Sequence, residues 1–248
     1  MAKHEFPRKA LDIASKAGFI TKELWKDYIY GRVGNTKAEK RRYHWAWNNL
    51  LERGYLIQHP NKHLSNVLVF NKNNRDAQRY IGGIASRSPY ESNIRHDEML
   101  LRGLLKIESA ELLRHWTLES ELKSNERDEF RLTSQGRSIK YPDAILYPKP
   151  SNNDRKVAIE LELTLKNRTR YKQIIGAYGF LSELPAVIFV YATPAIEKAI
   201  KETVNGDHLG ASSGRFGFMS LAEWQRNPIE GEIDFMNSKA TLKTLFCE

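Results

Sequence analysis

Apolar and polar residues fall into helical and strand rhythms that can be followed along the chain. In residues 8–18, Arg-Lys-Ala-Leu-Asp-Ile-Ala-Ser-Lys-Ala-Gly, the spacing predicts a short helix closed by Gly18. Thr21 is placed to cap a second helix running to about Tyr30, and Gly31–Asn35 reads as a turn. Thr36-Lys-Ala-Glu39 has the form of a capping box, in which hydroxyl and carboxylate each satisfy a free backbone N–H. The helix it opens is predicted to reach Arg53 and stop at Gly54, with Tyr43, Trp47, Leu50 and Leu51 on one apolar face. Tyr55–His59 and Asn66–Phe70 read as strands around a polar loop, and a helix over Arg75–Ile81 follows.

The stretch Ser86-Arg-Ser-Pro-Tyr-Glu-Ser is a loop signal, and a domain boundary is expected there, giving domains 1–85 and 86–248. Beyond it the rhythm alternates. A helix is predicted over Asn93–Ile107, a strand over Trp116–Leu122, and a loop or hairpin tip over Lys123–Arg131. A strand over Ile139–Tyr147, a turn at Pro148–Asp154 and a strand over Lys156–Leu165 come next. Then follow a helix Asn167–Leu181, a buried strand Ala186–Ala192, a helix Pro194–Val204, a strand Phe216–Met219 and a short helix Leu221–Gln225. The order α-β-β-β-α-β, with additions, implies an α/β or α+β layer around a mixed sheet.

Charge changes the picture of the first part. The 248 residues carry 39 Lys and Arg against 30 Asp and Glu, a formal net charge of +9. Residues 1–90 hold 17 of the cations and 7 of the acids, while the rest holds 22 and 23. Such asymmetry points to a basic module for nucleic acid or a membrane surface, joined to something neutral; a solubilising bias would look the same. Three helices followed by two strands is the order of a winged helix-turn-helix. On its third helix, Lys37, Arg41, His44, Trp45 and Asn48 cluster opposite the apolar face. A recognition helix lies in the major groove. Arg41 would pair with a guanine edge and Asn48 with adenine. Lys37, Lys40 and Arg42 would touch phosphate. Lys62 and His63 would sit on the wing. The alternative is a solvated charged face on a helical bundle.

Composition excludes other classes. A single cysteine, Cys247, rules out an internal disulfide framework and a Cys-based zinc site. Apolar runs such as Ala186–Ala192 are too short to cross a bilayer, and the first residues lack the apolar core of a signal peptide. No membrane partner and a cytoplasmic location are expected.

Candidate chemistry lies in the second part. In Ile159-Glu-Leu-Glu-Leu-Thr-Leu-Lys166, the residues Ile159, Leu161, Leu163 and Leu165 are expected on one face and Glu160, Glu162, Thr164 and Lys166 on the other. A solvent-facing strand would alternate in the same way. Asp143, however, stands alone among apolar residues in Tyr141-Pro-Asp-Ala-Ile-Leu, where an acid needs a partner. On an adjacent strand it would face Glu160 and Glu162. Three carboxylates on one face suit Mg²⁺ or Mn²⁺ rather than zinc.

Pro142-Asp143, 16 residues, then Glu160-Leu161-Glu162 resembles the PD-(D/E)XK nuclease superfamily, whose core is also αβββαβ. The resemblance implies that Asp143 and Glu160 bind a divalent metal. Glu162 stands where that superfamily usually has the lysine that positions or activates water. Some of its restriction endonucleases also carry Glu there. Lys166 is the candidate substitute. Glu98, beside His96 and Asp97 on the first core helix, is the acid that would complete the site. A winged helix before such a core looks like the replication-relaxation family, over most of residues 8–192. This implies an α+β fold with an N-terminal winged helix-turn-helix and a PD-(D/E)XK nuclease-like core with a mixed sheet. It further implies a DNA-binding protein of plasmids or integrative elements, acting in conjugative transfer, mobilisation or replication. Double-stranded DNA and a relaxase or replication complex would be its partners. The expected activity is a Mg²⁺-dependent endonuclease or that of a catalytically inactive accessory factor. Lys166, Arg168, Arg170 and Lys172 around Tyr171 would contact phosphate, although salt bridges to Glu160 or Glu162 would account for them equally.

Overall fold

The computed structural model describes residues 5–30, 36–61, 64, 66–80, 91–134, 136–149, 155–206 and 210–247. The fold is α+β, with ten α-helices and a mixed seven-stranded sheet among the described residues. The chain forms two compact units, residues 1–98 and 99–248.

In the first unit, α1 (Glu5–Ala17) buries Ala10, Leu11, Ile13, Ala14 and Ala17, one stripe at helical spacing. It ends at Gly18, whose φ of +84° is left-handed backbone that glycine adopts without strain. Strand β1 (Phe19–Thr21) follows, which the sequence did not suggest. Thr21 then caps α2 (Lys22–Leu24), its Oγ1 accepting from the Leu24 N–H at 3.1 Å. The chain continues as a π-helical segment, Trp25–Tyr30. The turn expected at 31–35 lies outside the described residues, as do Lys62 and His63. Helix α3 (Lys37–Glu52) opens on the capping box: Thr36 Oγ1 accepts from the Glu39 N–H at 3.2 Å, and Glu39 Oε2 from the Thr36 N–H at 3.1 Å. Tyr43, Trp47 and Leu50 are its buried face, with Trp47 edge-on to Trp25 at 5.8 Å. Strands β2 (Leu56–Gln58) and β3 (Val67–Phe70) pair antiparallel, and β1 joins the far side of β3, giving the order β1-β3-β2. Helix α4 (Arg75–Tyr80) follows. Helix α5 (Glu91–Ser109) carries the chain from the first unit into the second.

The second unit is built on the sheet β12-β11-β10-β9-β8-β7-β4. From one edge inward its strands are β4 (Leu113–Leu118), β7 (Ala144–Pro148), β8 (Val157–Glu162) and β9 (Ala186–Tyr191). β4–β7 and β7–β8 are antiparallel, β8–β9 parallel. Helix α7 (Arg168–Gly179) makes the crossover between β8 and β9. Helix α8 (Pro194–Gly206) links β9 to the parallel strand β10 (Phe216–Ser220), and α9 (Leu221–Arg226) follows. The antiparallel strands β11 (Ile233–Phe235) and β12 (Ser238–Ala240) and helix α10 (Leu242–Cys247), none of them predicted, complete the unit.

Three sequence expectations are corrected. The strand predicted to reach Leu122 ends at Leu118, because Glu121 accepts the Leu118 N–H and starts α6 (Glu119–Ser124). The strand predicted over Ile139–Tyr147 is two strands. Its first part is β6 (Arg137–Lys140), which pairs with β5 (Leu132–Ser134) in a separate two-stranded sheet, and its second part is β7. Pro142 between them has no N–H for a ladder. The strand predicted to reach Leu165 stops at Glu162, so Leu165 is 60% exposed instead of buried with Ile159 and Leu161.

Candidate acidic site and nucleic-acid interface

Every residue of β8 is buried, as suits a central strand covered on both faces. Ala158 belongs to the core under α7, with Tyr171, Ile175 and Tyr178. Strand alternation points Glu160 and Glu162 to the same side. Glu160 has no exposed surface and Glu162 is 1% exposed. Asp143 sits one residue before β7, next in register to Glu160, since Ala144 pairs with Ile159. Its Oδ2 accepts from the Leu161 N–H at 2.8 Å.

Between these acids stands a residue that sequence reasoning missed. Lys140, at the end of β6, places its Nζ 3.0 Å from Asp143 Oδ1 and 2.5 Å from Glu160 Oε2. The hydroxyl of Tyr178 on α7 donates to Glu160 Oε1. Glu162 pairs separately with Lys166, whose Nζ is 2.5 Å from Glu162 Oε1. Lys166 lies beyond the strand, in the connection to α7, and its own N–H donates to the Tyr171 hydroxyl at 3.3 Å. A lysine three residues before Asp143, in a stretch that reads as one strand, gave Lys140 no local mark. The signal was Pro142, which breaks that stretch and frees Lys140 to approach from a second sheet.

The electrostatics follow from burial. Desolvation pushes the Glu160 carboxyl up to about 8, against the pull of Lys140 and with the help of Asp143. Burial alone would depress the Lys140 ammonium, but the two carboxylates outweigh it and hold the lysine above its ordinary value. Glu162 is raised by burial against Lys166. Tyr178 is raised well above its ordinary value by burial and by the Glu160 carboxylate. The hydroxyl therefore keeps its proton and remains a donor.

As arranged, the Lys140 ammonium occupies the point on which Asp143 and Glu160 converge. Among the described residues no group of three His, Cys, Asp or Glu side chains is disposed to hold a metal. Glu98 lies on α5 within the first unit, half-buried, beside His96 and Asp97, whose side chains meet at 2.9 Å.

The cationic candidates lie at the surface. Lys37, Lys40, Arg41, Arg42, His44, Trp45 and Asn48 are all exposed on α3, Trp45 to 62%. Among the described residues Lys37, Lys40 and Arg41 make no ion pair. On α7, Asn167 caps the helix by accepting the Arg170 N–H at 2.8 Å, which leaves Arg168 and Lys172 exposed and Arg170 half-buried. Lys166 is thus spent on Glu162, whereas Arg168 and Arg170 form no ion pair among the described residues. No described helix is long and apolar enough to cross a membrane. No family model, curated protein or solved structure matches this chain.

Proposed function

We propose that the protein binds double-stranded DNA through its first unit, a winged helix-turn-helix, and that its second unit is a PD-(D/E)XK nuclease-like domain acting as a non-hydrolytic accessory. On the resemblance to the replication-relaxation family we assign this activity to conjugative transfer, mobilisation or replication of a plasmid or integrative element, with a relaxase or replication complex as partner. The observation that carries the DNA-binding part is the outer face of α3. It presents three cations that form no ion pair among the described residues, and an exposed indole, opposite the buried Tyr43, Trp47 and Leu50. The exposed Trp45 indole offers a large amphipathic surface that contact with sugar or base would bury. The sheet order β1-β3-β2, with β2 and β3 following three helical segments, supports the winged arrangement, and the order α5-β4-β7-β8-α7-β9, with α6 and the β5–β6 ribbon inserted between β4 and β7, supports the nuclease-like one. The test is a mobility-shift titration of the full chain on duplex DNA at several salt concentrations, beside Lys37→Ala and Arg41→Ala. A full chain that shifts no duplex at low salt would sink the reading.

A second reading, a Mg²⁺- or Mn²⁺-dependent endonuclease, is favoured by the convergence of Asp143 and Glu160 on a single cation. Incubation with supercoiled, linear and single-stranded DNA separates the two. Cutting that needs metal and disappears in Asp143→Ala selects the endonuclease, whereas binding without cutting selects the accessory factor.

A further inference from the structure

We infer that Lys140 is the resident cation of the Asp143–Glu160 pair, so that the acidic site of the second unit is complete without a divalent metal. This builds on the accessory reading of that unit and says what the site does instead of holding an ion.

All four carboxylate oxygens are already committed. One oxygen from each acid lies on Lys140 Nζ, at 3.0 and 2.5 Å. Asp143 Oδ2 takes the Leu161 N–H at 2.8 Å, and Glu160 Oε1 takes the Tyr178 hydroxyl. An incoming Mg²⁺ would need six oxygens in near-octahedral order at about 2.0–2.1 Å and gives up its water reluctantly. It would have to break at least the two ammonium contacts, and the expelled ammonium would then need another partner. Burial makes that exchange costly. The side chains of Lys140, Asp143 and Glu160 are only 14%, 10% and 0% exposed. The Asp143 carboxylate, and the Glu160 carboxylate once it has released its proton, need a positive charge beside them when so enclosed, and a charge left behind after its partner is removed is more expensive than the pair.

The elements involved give the lysine a structural purpose. Lys140 comes from the two-stranded sheet β5–β6, Asp143 from the entry to β7, Glu160 from β8 and Tyr178 from α7. The ammonium therefore joins the small sheet to the large one, and the tyrosine joins the large one to its crossover helix. The acids hold the second unit together where the alternative reading would have them hold an ion.

The experiment is thermal unfolding of the full chain in EDTA, Mg²⁺ and Mn²⁺, with bound Mn²⁺ followed by electron paramagnetic resonance. The wild type is expected to melt at the same temperature in all three and to hold no Mn²⁺. Lys140→Ala, which vacates the point of convergence, is expected to melt lower in EDTA and to regain stability with Mn²⁺, and this rescue should vanish in Lys140→Ala/Asp143→Asn. Should Lys140→Ala fail to fold, the wild-type titration decides alone. A wild type stabilised by Mn²⁺, with the effect lost in Asp143→Asn, overturns the inference. A folded Lys140→Ala with unchanged melting and no response to Mn²⁺ overturns it too. DNA binding is read separately by mobility shift: its loss would remove the proposed function and leave the melting result standing.

Discussion

Tyr178, on the buried face of α7, donates its hydroxyl to Glu160, a side chain with no exposed surface in the inner strand β8. Neither group can reach water in exchange. Tyr178→Phe keeps the ring and its packing but leaves Glu160 Oε1 one donor short. A buried acceptor without its partner costs about 1–3 kcal/mol. Urea unfolding of the variant should show a loss in that range with an unchanged m-value. A loss near zero would mean that the hydroxyl contributes nothing to holding Glu160.

Glu160 also sets a pH dependence. Its carboxyl is pushed up to about 8 in the folded chain by burial, from an ordinary value of 4.5. Lys140, Asp143 and Tyr178 are the groups that face it. Between those two values the unfolded chain has released this proton and the folded chain still holds it, so the group removes stability as pH rises through the window. Glu160→Gln cannot titrate. Comparing melting temperatures from about pH 5 to about pH 8, the wild type should lose ground steadily to the variant. Parallel curves would show that Glu160 is ionised throughout.

On α3, Arg41→Ala should weaken a preferred site by about 1–3 kcal/mol relative to other sequences if the guanidinium reads a base edge. Lys37→Ala should weaken all sequences alike and reduce the salt slope by about 1. Trp45→Ala, at a position 62% exposed, should leave stability within about 0.5 kcal/mol while lowering DNA affinity. A Trp45 variant that binds DNA as well as the wild type would remove the indole from the interface.

A fourth expectation concerns packing in the second unit. A Cβ added at Gly103 in α5 would lie 2.0 Å from the Trp224 ring, whose Nε1 donates to the Met99 carbonyl at 3.2 Å. Gly103→Ala must push the indole out of its seat and weaken that hydrogen bond. Overpacking of this kind costs about 1–3 kcal/mol. Chemical denaturation followed by tryptophan emission reads both the loss and the altered environment of Trp224.

Local chemistry was legible in the sequence where it is complete within a few residues. The Thr36–Glu39 box, the Thr21 cap and the left-handed glycines Gly18 and Gly54 each settle a helix end with groups at hand. Asp143, Glu160 and Glu162 were legible because acids among apolar residues demand an explanation. What escaped depends on partners distant in the chain. Strand β1 is three residues long and exists because Phe19–Thr21 meet Val67–Val69. Strand β12 is Ser-Lys-Ala, mostly exposed, with no apolar rhythm to announce it. Lys140 escaped for the same reason: its partner Glu160 lies on another sheet, and only the break at Pro142 brings the two together.

That break has a consequence for how the second unit opens. The sheet β5–β6 has only three registered pairs, too few to shield its amides for long by ladder bonds alone. Its last residue is nevertheless anchored by an ammonium held among buried carboxylates. Amide exchange in Arg137–Lys140 should therefore be as slow as this anchor is strong, not as fast as so short a ribbon would allow. Release of the anchor is expected to expose Glu160 to water before the seven-stranded sheet unfolds, and exchange at Arg137–Lys140 faster than global unfolding is the measurement that checks it. The smallest sheet of the unit is thus the latch over its most deeply buried charge.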